Sequence, residues 1–127
     1  MIESLFSGSN YQTAKAMLDV TEFRHRIMAG NLANVDTPGF QRRDVDSDFL
    51  AKLKTQIRTG NRSESLIPES IPVSAERGLA PTRPDGNTVS LDRELMLIRE
   101  NALEYAAMGQ FVSGSLQRLK TAISGKI

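Results

Sequence analysis

From residue 91 onward the apolar residues recur at alternating steps of four and three: Leu91, Leu95, Ile98, Ala102, Tyr105, Gly109, Val112, Leu116, Leu119 and Ile123. No other pattern in the chain restricts its fold as strongly. A heptad repeat held this long predicts one long helix in a coiled coil or helical sheath. Ser90 stands where an N-cap belongs, and Asp92 and Glu94 fall in the first turn, where the helix dipole favours negative charge. Gly125 is a natural stop. Such a helix is roughly 50 Å long, more than a small globule needs. Leu97, Leu103, Met108 and Phe111 lie off the stripe and add apolar surface that a solitary helix would leave wet. Other subunits are therefore expected to cover them.

A second helix is predicted from about residue 10 to 34, a stretch with no proline and one internal glycine. Tyr11, Ala14, Leu18, Thr21, His25, Met28, Leu32 and Val35 form one row, and Ala16, Val20, Phe23, Ile27 and Gly30 form another. Two rows wrap much of the helix in contact surface. The two long helices are expected to pair, with Leu18 and Met28 meeting Leu95, Ile98, Val112, Leu116 and Leu119. The chain has 127 residues, with five Phe, two Tyr and no Trp, so any globular core is thin. An all-α chain of this kind is expected to settle fully only on assembly.

Between the helices the pattern breaks. Ser47 can cap a short amphipathic helix carrying Phe49, Leu50, Leu53 and Ile57. Residues 58 to 90 hold four of the five prolines and few large apolar side chains, so an irregular segment is predicted there. The organisation read from the chain is a helical segment over 1–35, a turn and short helix over 36–58, an irregular middle over 59–89 and a long helix over 90–127. No repeat of solenoid period is present.

Composition excludes several functions. Sixteen basic residues stand against fifteen acidic ones, and a net charge of +1 makes no electrostatic case for nucleic acid or an anionic membrane. The absence of cysteine removes thiolate chemistry and disulfides. The opening MIESLFSGSN has neither a basic n-region nor a long apolar h-region, so no cleaved signal peptide is expected. Asp44, Asp46 and Asp48 are spaced like the first ligands of an EF-hand loop, but Phe49 and Thr55 occupy the places where that loop needs Gly and Glu. His25 is the only histidine and has no nucleophile or second ligand beside it. Asn61-Arg62-Ser63 fits the glycosylation sequon, a pattern too short to carry weight. Arg24, Arg26, Arg42 and Arg43 form a basic cluster without interleaved aromatics, which suits salt bridges to acidic neighbours in an assembly. No catalytic residue, cofactor, metal or small-molecule substrate is expected.

Residues 31 to 40 read NLANVDTPGF. The stretch lacks the Gly-x-x-x-x-Gly-Lys pattern of a phosphate cradle and follows a helix instead of a strand. The residue before a proline is disfavoured in the helix, so the helix must end at or before Thr37. Pro38 and Gly39 suit a type II turn. Asp36 can form an Asx-turn, and Asn34 tolerates the left-handed position at a helix end. Asn31, Asn34, Asp36, Thr37, Pro38, Gly39 and Phe40 are thus expected to make a joint of defined shape.

NLANVDTPGF at the end of an N-terminal helix resembles the signature of the axial proteins of the bacterial flagellum, the rod, hook and hook-associated components. The family form is close to Asn-(Ile/Leu)-Ala-Asn-x-(Asp/Asn)-Thr-Pro-Gly-(Tyr/Phe), with Phe40 here where Tyr is commoner. The short length, the continuation RRDVDSDF and the run DGNTVSLDRELMLIRENALEYAAMGQFVSGSLQRLKTAISG resemble the proximal-rod members. The likeness covers roughly residues 10 to 60 and 85 to 125. It implies a structural subunit without catalysis, one that assembles helically into the shaft carrying motor torque. It also implies export through the flagellar type III apparatus to a periplasmic rod. The implied neighbours are other copies of the chain, other rod proteins, an adaptor at the rod base, the membrane ring and the export gate. The alternative from residue patterns alone is a cytoplasmic coiled-coil adaptor or chaperone-like protein.

Overall fold

The computed structural model describes residues 9–59, 70–76 and 78–125. The opening stretch before residue 9, the sequon at 61–63 and part of the proline-rich middle lie outside the described residues. Helix α1 spans Ser9–Ala33, strand β1 Arg43–Val45, helix α2 Ser47–Thr59, strand β2 Val73–Ala75 and helix α3 Leu91–Ser124. The fold is mostly helical, and α1 packs along α3. Thr21 meets Asn101 and Asn31 meets Glu94, so residue numbers fall on one helix as they rise on the other and the pair is antiparallel. With 25 and 34 residues, α1 and α3 run roughly 37 Å and 51 Å.

The helix ends follow the chain's local chemistry. Ser90 holds the N-cap place of α3 with φ −96° and ψ 120°, and its carbonyl accepts the Glu94 N–H at 2.9 Å, but its hydroxyl makes no cap bond. Gly125 closes α3 at φ +63°, donating to Thr121 O at 3.1 Å. At α2 the capping oxygen comes from Asp46 and not from Ser47: Asp46 Oδ1 accepts the N–H groups of Asp48 at 3.0 Å and Phe49 at 3.1 Å. A carboxylate one residue earlier reaches the second and third amides of the helix, the geometry an N-cap requires.

The all-α expectation needs one correction. β1 and β2 form a two-stranded antiparallel sheet in which Arg43 faces Ala75, Asp44 faces Ser74 and Val45 faces Val73. The Glu76 N–H reaches Arg42 O at 3.0 Å and the Asp46 N–H reaches Pro72 O at 2.9 Å. Three-residue strands that include Arg43 and Asp44 carry no alternating apolar pattern, so periodicity could not announce them. Part of the proline-rich middle is therefore ordered as β2.

Among the described residues the buried apolar side chains are Ala14, Ala16, Val20, Met28, Val45, Leu53 and Val89. Buried polar side chains are as numerous: Thr21, Asn31, Arg42, Asn87, Thr88, Glu94 and Asn101. The centre of the molecule is thus held by directed bonds as much as by apolar packing. No helix among the described residues is long and apolar enough to cross a membrane.

Candidate functional site

The joint after α1 is built from its own residues first. Thr37 donates its N–H to Asn34 O at 3.0 Å, and Phe40 donates to Thr37 O at 3.3 Å, closing the Thr37–Phe40 turn. Gly39 sits at φ +69°, the left-handed value that the third position of a type II turn demands. Asn34 keeps a negative φ and works through its side chain: Nδ2 donates to Gly30 O at 2.8 Å, and Oδ1 accepts from Thr37 Oγ1 at 3.1 Å. Asp36 accepts from Arg83 Nη1 at 2.8 Å, a tie to a residue 47 positions away where a local Asx-turn was expected. Arg83 also donates to the carbonyl of Val35.

The proline-rich middle then plugs the joint. Asn87 is fully buried, and its Nδ2 serves the carbonyls of Asn34 at 3.1 Å, Val35 at 3.1 Å and Thr37 at 2.7 Å. Its Oδ1 accepts the Val89 N–H at 2.7 Å, and its carbonyl accepts the Thr82 N–H at 2.8 Å. One amide thereby serves three carbonyls of the joint that follows α1, where the backbone has left the helix. The neighbouring Gly86 has φ +85°, and a Cβ there would stand 3.8 Å from Gly39 Cα, so the two glycines bring both backbones together. Gln41 crosses the same gap, donating to Gly86 O at 3.2 Å.

Below the joint lies a knot of alternating charge. Arg42, buried with only 1% of its side chain exposed, donates Nε to Glu94 Oε2 at 2.7 Å, Nη1 to Glu76 Oε2 at 2.6 Å and Nη2 to Asp44 Oδ2 at 3.2 Å. Arg24 of α1 grips Asp44 with two parallel bonds of 2.8 and 2.9 Å. Arg93 of α3 holds Glu76 at 2.7 Å. Asn31 completes the cluster. Its Nδ2 donates to Glu94 Oε1 at 3.0 Å and to Arg43 O at 2.7 Å, and its Oδ1 accepts the Arg43 N–H at 3.0 Å. The Asn31 amide thus acts as a one-residue strand on the edge of β1 opposite β2. Three guanidinium groups balance three carboxylates, and the knot ties α1, β1, the end of β2 and α3 together.

The electrostatics follow from that pairing. Burial works against ionised Asp44, but the hydrogen bonds and charge of Arg24, the Val45 amide and the charge of Arg42 outweigh it and hold the carboxyl below its ordinary range. Glu76 is lowered in the same way, burial being overcome by Arg93 and Arg42. Hydrogen bonding to Asp44 raises Arg24, and burial of Arg42 is overcome chiefly by Glu94, so both guanidinium groups stay charged. Each ion is bonded, which is the condition under which buried charge is tolerated. The EF-hand-like spacing is thereby accounted for: Asp44 is committed to arginines and Asp46 to helix amides.

Of the residues expected to hold the helix pair, Met28 is fully buried, and Leu18, Ile98, Val112 and Leu119 are half-buried. Leu95 and Leu116 are 38% and 41% exposed. The two buried residues of α3 are Glu94 and Asn101, each one position before a stripe residue, Leu95 and Ala102, and therefore about 100° round the helix from it. His25 is exposed on α1. Sequence reading missed the knot itself, counting Glu94 as a dipole charge and assigning Arg24 and Arg42 to neighbouring molecules. The available signal was the density of opposite charges in RRDVDSD beside a helix carrying Arg24.

No family model matches the chain. Curated relatives do. The flagellar basal body rod protein FlgB of Aquifex aeolicus is 36% identical over 126 residues, covering 96% of this chain and 97% of its own. FlgB of Salmonella typhimurium is 34% identical over 130 residues, covering 91% of each chain. FlgB of Bacillus subtilis is 28% identical over 130 residues, covering 96% of this chain and 98% of the relative. With both helices, the joint and the intervening segment inside these alignments, the chain belongs to the FlgB family of flagellar basal body rod proteins, structural proteins and not enzymes.

Proposed function

We propose that this chain is a subunit of the proximal rod that assembles helically with copies of itself and with other rod proteins into the shaft carrying motor torque. The observation that supports this most directly is the division of α3: its polar line, Glu94 and Asn101, is buried against α1, while Leu91, Leu95, Tyr105, Leu116 and Ile123 of its apolar stripe stand exposed. A stripe of that length, costly to leave in water, has its use in contact with other molecules. On this reading Leu18, Met28, Ile98, Val112 and Leu119 hold the helix pair, which tightens to a coiled coil in the rod, and Leu95 and Leu116 face neighbours. Torque loads a subunit in shear, and the charged knot resists it because its bonds are directional and cross four elements.

The joint, Asn31 to Phe40, sets the direction in which the chain leaves α1. The subunit reaches its place through the flagellar type III apparatus. It sits near the adaptor at the rod base, the membrane ring and the export gate. The test is Gly39→Val. A β-branched residue at φ +69° is strained whatever the free space. The chain should still be made and exported but should be missing from purified basal bodies, and the cells should not swim. Normal swimming by this variant would remove the joint's role. Wild-type chain found only in the cytosol would favour an adaptor instead.

A further inference from the structure

Helix α3 meets α1 in a rotational phase that its apolar residues do not favour. Ile98, Tyr105, Val112 and Leu119 recur every seven residues and form one row of the apolar stripe. The row that completes the 4-3 alternation is Leu95, Ala102, Gly109, Leu116 and Ile123. In the structure its place beside the first row is taken by Glu94, Asn101, Met108 and Ser115, also spaced by seven. Glu94 and Asn101 are buried, and Met108 and Ser115 are half-buried, as are Ile98, Val112 and Leu119 of the shared row. The two alternative rows lie one residue apart, about 100° round the helix. Exchanging one for the other while keeping the shared row turns the contact line by half of that, about 50°.

Apolar burial alone favours the other phase. It would cover Leu95, Leu116 and Ile123, now 38%, 41% and 75% exposed, and return a carboxylate and a carboxamide to water. Nor is the turn blocked: on the stripe's side of the contact line lies an open groove of about 230 Å³, bordered by Glu22, His25 and Arg26 of α1 and by Ala102 and Tyr105 of α3. What opposes it is two sets of directed bonds. Glu94 accepts from Arg42 Nε at 2.7 Å and from Asn31 Nδ2 at 3.0 Å, and turning it away would strip a carboxylate from a buried guanidinium. Asn101 Nδ2 donates to Thr21 O at 2.8 Å. Its Oδ1 has no hydrogen-bond partner among the described residues, so this amide gives direction more than stability. A buried polar side chain in a helix seam fixes alignment at a cost in stability. The two residues stand about 10 Å apart along the axis and hold the helix at two levels.

We propose that Glu94 and Asn101 are positioning residues that set the rotational phase of α3 and hold its apolar stripe away from α1. Without them the helix turns by about 50° and buries the stripe on α1. The outward stripe is the surface that the rod reading uses. The phase itself is a property of the single chain and is tested there, so its failure leaves the rod reading standing.

The chain has no cysteine, so one introduced thiol reports on one row. Full-length chains carrying Ala102→Cys on the outward row or Met108→Cys on the inward row are made with and without Glu94→Ala/Asn101→Ala. Alanine removes both sets of bonds without adding a large apolar side chain to the inward row. Maleimide labelling rates are measured in sucrose, which favours the compact state, with helix content followed by circular dichroism. Removing the bonds should slow labelling at position 102 about tenfold and speed it at position 108 by a similar factor, as one site closes and the other opens. Loss of stability alone would speed both. Asn101→Ala by itself keeps the Arg42–Glu94 pair and the fold, and should move the two rates in the same opposite directions by about twofold. Unchanged rates, or rates that rise together, in either variant that keeps its helix content would overturn the assignment. If the double variant loses its helix content, the single variant decides by the same criterion.

Discussion

The two ends of α3 solve opposite problems. Around Glu94 the helix is enclosed: its carboxylate takes bonds from Arg42 and Asn31, and the plugged joint lies beside it. Toward Ile123, which is 75% exposed, the same helix leaves large apolar side chains in solvent. The enclosed end is specified by hydrogen bonds that no other molecule needs to supply. The open end has no comparable set of bonds among the described residues, and Leu116 and Ile123 stay uncovered there. A single helix thus carries an internally bonded end and an end whose large apolar side chains stand exposed.

The largest effect on the isolated chain should come from Glu94→Ala. It removes a fully buried carboxylate from buried Arg42 and a partner from Asn31, and should cost about 3 kcal/mol in urea unfolding. Glu94→Gln keeps the shape and should cost less. Next comes Asn87→Ala, which strips three bonds from the joint after α1 and should cost about 2 kcal/mol on the same measurement. A loss confined to the last turn of α1, seen by amide exchange, would show that joint and knot are separate units.

Acid should loosen the enclosed end more gently. Asp44 and Glu76 have carboxyls lowered in the folded chain, so the stability they contribute is complete above the unfolded value. It declines as pH falls from about 4 through their lower folded values. Urea midpoints taken from pH 7 to 3 should drop in that window, and Asp44→Asn should flatten the drop. An unchanged acid limb in that variant would assign the loss to other groups. The smallest effect on the isolated chain belongs to the open end: Leu116→Ser should change its stability by no more than about 0.5 kcal/mol. The same substitution should reduce incorporation into basal bodies, measured by immunoblot. If Leu116→Ser instead unfolds the isolated chain, the contrast between the two ends fails.

Much of the fold was legible because it depends on short-range chemistry. The heptads located both long helices, Pro38 and Gly39 located the turn, and Gly125 located the stop, since each acts within one or two turns of backbone. The sheet was not legible, because its strands are three residues long and carry charge. Nor was the inward face of α3. Apolar periodicity pointed to Leu95 and Leu116, whereas Glu94 and Asn101 face α1, because buried Arg42 and the Thr21 carbonyl require polar partners there. Asn87 was invisible for a similar reason: a polar residue in a proline-rich stretch signals a loop until its distant carbonyls are in view.

By itself, then, the sequence determined where the helices run, where the chain turns and which residues could not continue a helix. Those outcomes follow from backbone sterics and from periodicity along one element. Only the tertiary structure decided that Arg24, Arg42 and Arg93 interleave with Asp44, Glu76 and Glu94, and that Asn31 and Asn87 serve backbone groups 12 to 53 residues away. Such bonds form between groups far apart in the chain, and their partners are chosen by the packing of whole elements. That packing also decides which apolar stripe is left exposed.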